Sequence, residues 1–129
     1  MRDHARSAYP DECCGILLGE GGMIAWAWPA VNVHPAPHSH FEIAPDALIA
    51  AHRNARQGGP PVAGYYHSHP NGRTEPSPVD RTSAAGDGRV WIILTRDAHD
   101  CWTIRAWLDA PGGFEPLSIV NRAPGDGQA

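Results

Sequence analysis

The stretch Val62-Ala63-Gly64-Tyr65-Tyr66-His67-Ser68-His69-Pro70, followed after a Pro/Gly-rich turn by Ser77-Pro78-Val79-Asp80, decides how the rest of the chain is read. Val62 to Ser68 has strand character, and side chains two apart on a strand project to the same face. His67 and His69 can therefore bind one ion together. Two neutral imidazoles plus one carboxylate leave a fourth tetrahedral position of zinc open, the arrangement of catalytic sites. Asp80 is the candidate carboxylate. Ser77-Pro78-Val79-Asp80 also reads as a helix start, with Ser77 as N-cap, Pro78 as the first helical residue and Asp80 as the capping-box acid. A capping box alone accounts for Ser77 and Asp80 without a metal, and a lone H-x-H is common in surface loops. The metal reading rests on the combination: an apolar strand ending in two same-face histidines, then a turn that brings an acid back.

Upstream lies a second H-S-H, His38-Ser39-His40, with Glu42 continuing its alternation. An H-x-H-x-E ligand set is conceivable there. Pro35 and Pro37 favour an extended, exposed segment, however, and no apolar strand precedes these histidines to hold them. At most a secondary or adventitious metal site is expected.

The remaining chain alternates short elements. Asp3 to Ala8 reads as a helix end stopped by Tyr9-Pro10. Glu12 to Leu18 reads as a strand buried on both faces, in which Glu12, taken alone, is simply the polar first residue and Cys14 a small buried one. Glu20-Gly21-Gly22 is a turn, and Met23 to Val33 pairs back from it, with Trp26 and Trp28 sharing one face and expected in the core. Phe41 to Ala44 is a short strand, and Pro45-Asp46 opens a helix Ala47 to Arg56 that places Leu48, Ala51 and Ala55 on the sheet. A short helix is expected from Pro78 to Ala85, then strands at Arg89 to Thr95, Trp102 to Leu108 and Phe114 to Val120. This interleaving lacks the regular βαβ rhythm of a doubly wound sheet and predicts an α/β (α+β) fold, a mixed, mostly antiparallel sheet flanked by helices. Residues 1–122 are expected to form a single domain and 123–129 a disordered tail.

With 129 residues the chain suits one domain with a substantial core. A net charge of −4 without any Lys/Arg run argues against nucleic acid or an anionic membrane as partner. Cys13, Cys14 and Cys101 form neither a disulfide framework nor a C-x-x-C pair and suit a reducing, cytoplasmic setting. No apolar run resembles a signal peptide or a membrane span.

His67-Ser68-His69-Pro70 with Ser77 and Asp80 resembles the H-[ST]-H-P-x6-S-x2-D signature of the JAMM metalloproteases, the MPN-domain (Mov34/PAD-1) family. Glu12-Cys13-Cys14-Gly15-Ile16-Leu17-Leu18-Gly19 is similar to the upstream segment that carries that family's catalytic glutamate, and Phe41-Glu42-Ile43-Ala44-Pro45 and the strand around Val90 to Leu94 are more weakly similar. Short, single-domain bacterial members match best; such proteins often carry a further strand before the first helix, so the sheet is expected to lack an edge or the chain to start late. The resemblance implies an architecture similar to the cytidine-deaminase-like fold and one zinc ion per chain on His67, His69 and Asp80. It implies Glu12 as general base and acid, Ser77 as oxyanion donor, and cleavage after the C-terminal glycines of a β-grasp, ubiquitin-like or sulfur-carrier protein. Three alternatives are weaker. A zinc deaminase needs H-x-E with P-C-x-x-C, which is absent; an H-E-x-x-H protease lacks its motif; a cysteine hydrolase at Cys101 has no histidine fixed beside it. A non-catalytic MPN-type module is the non-enzyme alternative, against which stands the completeness of the motif, and a general zinc peptidase is the alternative in substrate.

Overall fold

The computed structural model describes residues 1–120; the expected tail, 123–129, lies outside the described residues. Six strands form one sheet in the order β2-β1-β3-β4-β5-β6. They are β1 (Cys14–Glu20), β2 (Met23–Ala30), β3 (Val62–His69), β4 (Val90–Arg96), β5 (Trp102–Ala110) and β6 (Gly113–Leu117), with helices α1 (Arg2–Ala8), α2 (Pro45–Arg56) and α3 (Pro78–Ser83). Only β3 and β4 pair in parallel, because the chain crosses over through α3 between them. The remaining pairings are antiparallel, so the mixed, mostly antiparallel sheet expected from the pattern is observed.

Local chemistry explains β1 and β3. Gly21 and Gly22 both have positive φ, 63° and 80°, as a two-residue hairpin turn between right-twisted strands requires, and β2 folds back on β1 there. β1 is buried from Cys14 to Gly19, and β3 packs between β1 and β4. Gly64 permits that packing, since a Cβ at this position would collide with the carbonyl oxygen of Val90 on β4. Alternation then sorts side chains into two layers. Cys13, Leu17, Tyr66, Ile92 and Leu94 meet Ala5 of α1 on one face, while Cys14, Ile16 and Leu18 meet Ala51 of α2 and Ile43, just before that helix, on the other. His67 pairs with Cys14 across β3 and β1, so the first histidine points to the α2 face.

Several boundaries differ from expectation. Glu12 and Cys13 precede β1 rather than opening it, and β2 ends at Ala30, beyond which only Asn32 and Ile43 form an isolated bridge. Phe41 to Ala44 is accordingly no strand: Pro45 starts α2 at once and leaves no room for a second pair. α3 stops at Ser83 rather than Ala85, where the chain turns extended at Ala84, and β6 ends at Leu117. Trp26 and Trp28 do share one face, opposite Leu18 and Ile16, but they are exposed (55% and 37%) and not core. Their strand is the sheet edge, and α2 does not reach over it to seal them.

Candidate metal centre

The end of β3 and the start of α3 bring three donors together. His67 Nε2 and His69 Nε2 lie 3.0 Å apart, and Asp80 Oδ2 lies 3.1 Å from the first and 2.9 Å from the second. All three residues are buried, His67 completely. They are the one group of this kind among the described residues. The two imidazoles converge through strand alternation. Asp80 reaches them because α3 starts with a complete capping box: Ser77 Oγ accepts from the Asp80 amide at 3.0 Å, and the Ser77 amide donates to Asp80 Oδ2 at 2.8 Å. The cap and the ligand position are thus one construction, in which the capping hydrogen bond aims the carboxylate at the histidines.

The surrounding hydrogen bonds fit a cation. Nδ1 of His69 donates to the carbonyl of Arg73 at 3.0 Å, and Thr95 Oγ1 donates to that same carbonyl at 2.9 Å. This fixes the His69 tautomer, as second-shell partners of metal-bound histidines do. With Nδ1 committed, the neutral ring turns the lone pair of Nε2 toward the lone pairs of Asp80 at 2.9 Å. Such a contact is repulsive unless a proton or a metal ion lies among the three atoms. Two imidazole nitrogens and one carboxylate oxygen are also the donor set of open zinc sites.

Electrostatics point the same way. Burial holds His67 below the usual imidazole range against the pull of Asp80. Burial also acts on His69, but there the hydrogen bond and charge of Asp80 prevail and raise it. Asp80 is penalised by burial as well, yet the bonds from both histidines and the Ser77 amide hold it well below the carboxylate range. The carboxylate is therefore ionised, and His67, fully buried, is held neutral.

Glu12 completes the cluster. Ser68, between the two histidines, faces the opposite side: its Oγ accepts from the Cys13 amide at 2.8 Å and its own amide donates to the Cys13 carbonyl at 3.1 Å. Continuing the pairing of Cys14 with His67 by two residues sets Glu12 opposite His69 and on its face. The side chain is buried, and its pKa is pushed up to about 8, chiefly by burial, with His69 opposing and Asp80 reinforcing the rise.

The second H-S-H is built differently. His38 is exposed and pairs with Asp11 at 2.7 Å; the ring of His40 stacks on His34 at 4.6 Å. Glu42 offers no third ligand, and no metal-ligating group forms there among the described residues. The segment serves as a wall, since Phe41 stacks on His67 at 4.3 Å. Cys14 is buried with its thiol pushed up to about 12, chiefly by burial, so it is no nucleophile. Sequence reasoning missed Ser68 and Thr95 as supports of this cluster. Thr95 could have been noticed as the polar end of an otherwise apolar strand.

Similarity to known proteins identifies the family. The family described as prokaryotic homologs of the JAB domain matches residues 1–108. The chain belongs to that family. It is a JAMM-type zinc metalloprotease, as the convergent triad and the relatives agree. A desampylase of Haloferax volcanii is 32% identical over 108 residues, which cover 79% of this chain and 77% of the relative. A Thermus thermophilus protein named "Probable TtuB-protein conjugate cleaving protease" is 34% identical over 120 residues, covering 92% and 75%. A CysO-cysteine peptidase of Mycobacterium tuberculosis is 26% identical over 127 residues, covering 95% and 86%. Among the described residues no helix is long and apolar enough to cross a membrane.

Proposed function

We propose that this JAMM protease cleaves the peptide or isopeptide bond that follows the C-terminal glycines of a ubiquitin-like or sulfur-carrier protein, using one zinc ion per chain held by His67, His69 and Asp80. The observation that carries the reading is the convergence of three buried donors at about hydrogen-bond distance, with the buried Glu12 on the same sheet face. We assign the catalytic unit to residues 1–122 as one domain and relate its sheet to the cytidine-deaminase-like architecture.

Zinc bound at the triad would polarise the scissile carbonyl and lower the pKa of a water from about 15.7 to about 7. Glu12 takes the proton from the attacking water and returns it to the leaving amine. Burial holds its carboxyl near pKa 8, and a cation held by His67, His69 and Asp80 would draw it down toward neutrality, the range in which one group serves as both base and acid. Ser77 stabilises the oxyanion. Its Oγ already accepts from the Asp80 amide, which leaves its O–H free to donate, and the residue is only half-buried. His69 is kept in one tautomer by the Arg73 carbonyl throughout.

The substrate class follows from shape and from the relatives. The loop 70–76 that follows β3 would wall a groove best suited to an extended tail with little side-chain bulk, and glycine-rich C-termini meet that condition. The relatives' names speak of a desampylase, of cleaving TtuB-protein conjugates and of a CysO-cysteine peptidase, which supports a carrier ending in Gly-Gly as the client. The test is to incubate the zinc-loaded protein with a panel of such carriers extended by one or a few residues and follow their masses. Release of intact carrier ending in Gly-Gly, absent with Glu12→Gln, is expected. Survival of every extended carrier while unrelated short peptides are cut makes the protein a general zinc peptidase instead.

A further inference from the structure

We propose that Asn32 is a positioning residue for the reaction: it clamps the backbone of Glu12 to the loop of residues 33–42 and thereby fixes the base relative to the triad, a role that rests on the assignment of Glu12 as base. Glu12 lies before β1, so its peptide groups have no place in the sheet ladder. One is satisfied by this loop and the other by Asn32 itself. The Glu12 amide donates to the Pro37 carbonyl at 2.8 Å, and the Glu12 carbonyl accepts from Asn32 Nδ2 at 3.0 Å.

Asn32 is suited to this because all of its hydrogen-bonding groups converge on the same junction. Its second Nδ2 proton goes to the His40 carbonyl at 3.0 Å, and Oδ1 accepts from the amides of His34 and Glu42, each at 3.1 Å. A side-chain amide with two donated and two accepted bonds has its full complement. The loop it closes touches the site a second time, through Phe41 stacked on His67. Asn32 thus ties the base and one wall of the metal cluster to a single frame. The His-rich loop has a use that needs no metal of its own.

Asn32→Asp tests this with no change in size. The two donors become an acceptor that faces the carbonyls of Glu12 and His40, while the amides of His34 and Glu42 keep theirs. With a Gly-Gly carrier extended by one residue as probe, kcat falls about tenfold or more because displacement of a reacting group by about 1 Å suffices for that, and KM stays within about twofold. Zinc content stays near one per chain. Amide hydrogen exchange at Glu12 speeds up while that of β3 and β4 does not change. In a Glu12→Gln background the substitution produces no further loss, since there is no base left to misplace. Asn32→Ala, which adds no charge, carries the same expectations and replaces the aspartate variant if that does not fold. Unchanged kcat, or an equal loss with and without the Glu12 carboxylate, overturns the proposal. Full activity of Glu12→Gln alone overturns instead the assignment of the base.

Discussion

His67-Ser68-His69 and His38-Ser39-His40 are the same tripeptide in two settings. In the first, a central strand fixes the backbone, alternation aims both rings to one face, and the serine between them faces the other, where it locks the start of β1. In the second, the backbone turns in a proline-bearing loop, Ser39 Oγ bonds the neighbouring His40 ring at 2.7 Å, and the two histidines go separate ways, one to Asp11 and one to His34. Ligand spacing in the sequence becomes ligand convergence in space only where neighbouring strands enforce the two-residue period.

The sharpest way to break that contrast is to exchange the fates of the two pairs by mutation. His67→Ala/His69→Ala is expected to lose zinc and all measurable hydrolysis, while His38→Ala/His40→Ala keeps about one zinc per chain by metal analysis. The reverse outcome would mean that the exposed pair is the true ligand set.

Next in size is Glu12→Gln, expected to retain zinc and fold and to lose about a hundred- to ten-thousandfold in kcat. Loss of zinc in this variant would turn Glu12 from base into ligand. Ser77→Ala separates the cap, which the hydrogen bonds show, from the proposed oxyanion role. The lost cap lowers stability by about 1 kcal/mol, read as a drop in Tm. The lost oxyanion donor lowers kcat about a hundredfold or more, read well below that Tm. Wild-type kcat together with a lowered Tm would leave Ser77 a cap alone.

How far the site was legible depends on which interactions are local. The pairing of His67 with His69, the cap at Ser77 and the two-glycine turn are set by residues within a few positions of one another, and period and propensity expose them. The support of Glu12 by Asn32, and of the Arg73 carbonyl by Thr95, joins segments about 20 residues apart, where no periodicity signals contact. Glu12 itself stands at the edge of an apolar run where a polar first residue is ordinary; only the motif resemblance marked it. Trp26 and Trp28 were misread because alternation shows that two side chains share a face, not whether a helix covers that face.

A smaller effect links Glu12 to pH in the metal-free protein. Its folded pKa of about 8 lies above the ordinary value of 4.5. Below pH 4.5 both states are protonated. Between 4.5 and 8 the unfolded chain releases the proton and the folded chain keeps it, so stability falls as pH rises through this window. Glutamine cannot ionise. The Tm advantage of metal-free Glu12→Gln over metal-free wild type is therefore expected to grow from pH 5 to pH 8, and an advantage that stays constant would show Glu12 to be solvated. Asp80 works in the opposite sense, but its depressed pKa confines its loss of stabilisation to acid below this window.

The smallest expected effect belongs to the exposed pair and sharpens the comparison from its weak side. His38 Nδ1 meets Asp11 Oδ1 at 2.7 Å, one residue from Glu12, so the pair is well placed to matter by position alone. Its side chains are 74% and 43% exposed, however, and solvent-exposed ion pairs contribute about 0–1 kcal/mol. What holds Glu12 from this side is the main-chain carbonyl of Pro37 and the side chain of Asn32, neither of which depends on the imidazole. His38→Ala should accordingly leave zinc content unchanged, kcat within about twofold and stability within about 1 kcal/mol, with salt making little difference to any of them. Denaturant unfolding and kcat at low and high salt check this directly. A loss beyond about tenfold in kcat that high salt reproduces in the wild type would show that the His38–Asp11 pair, and not only the backbone beneath it, sets the position of Glu12.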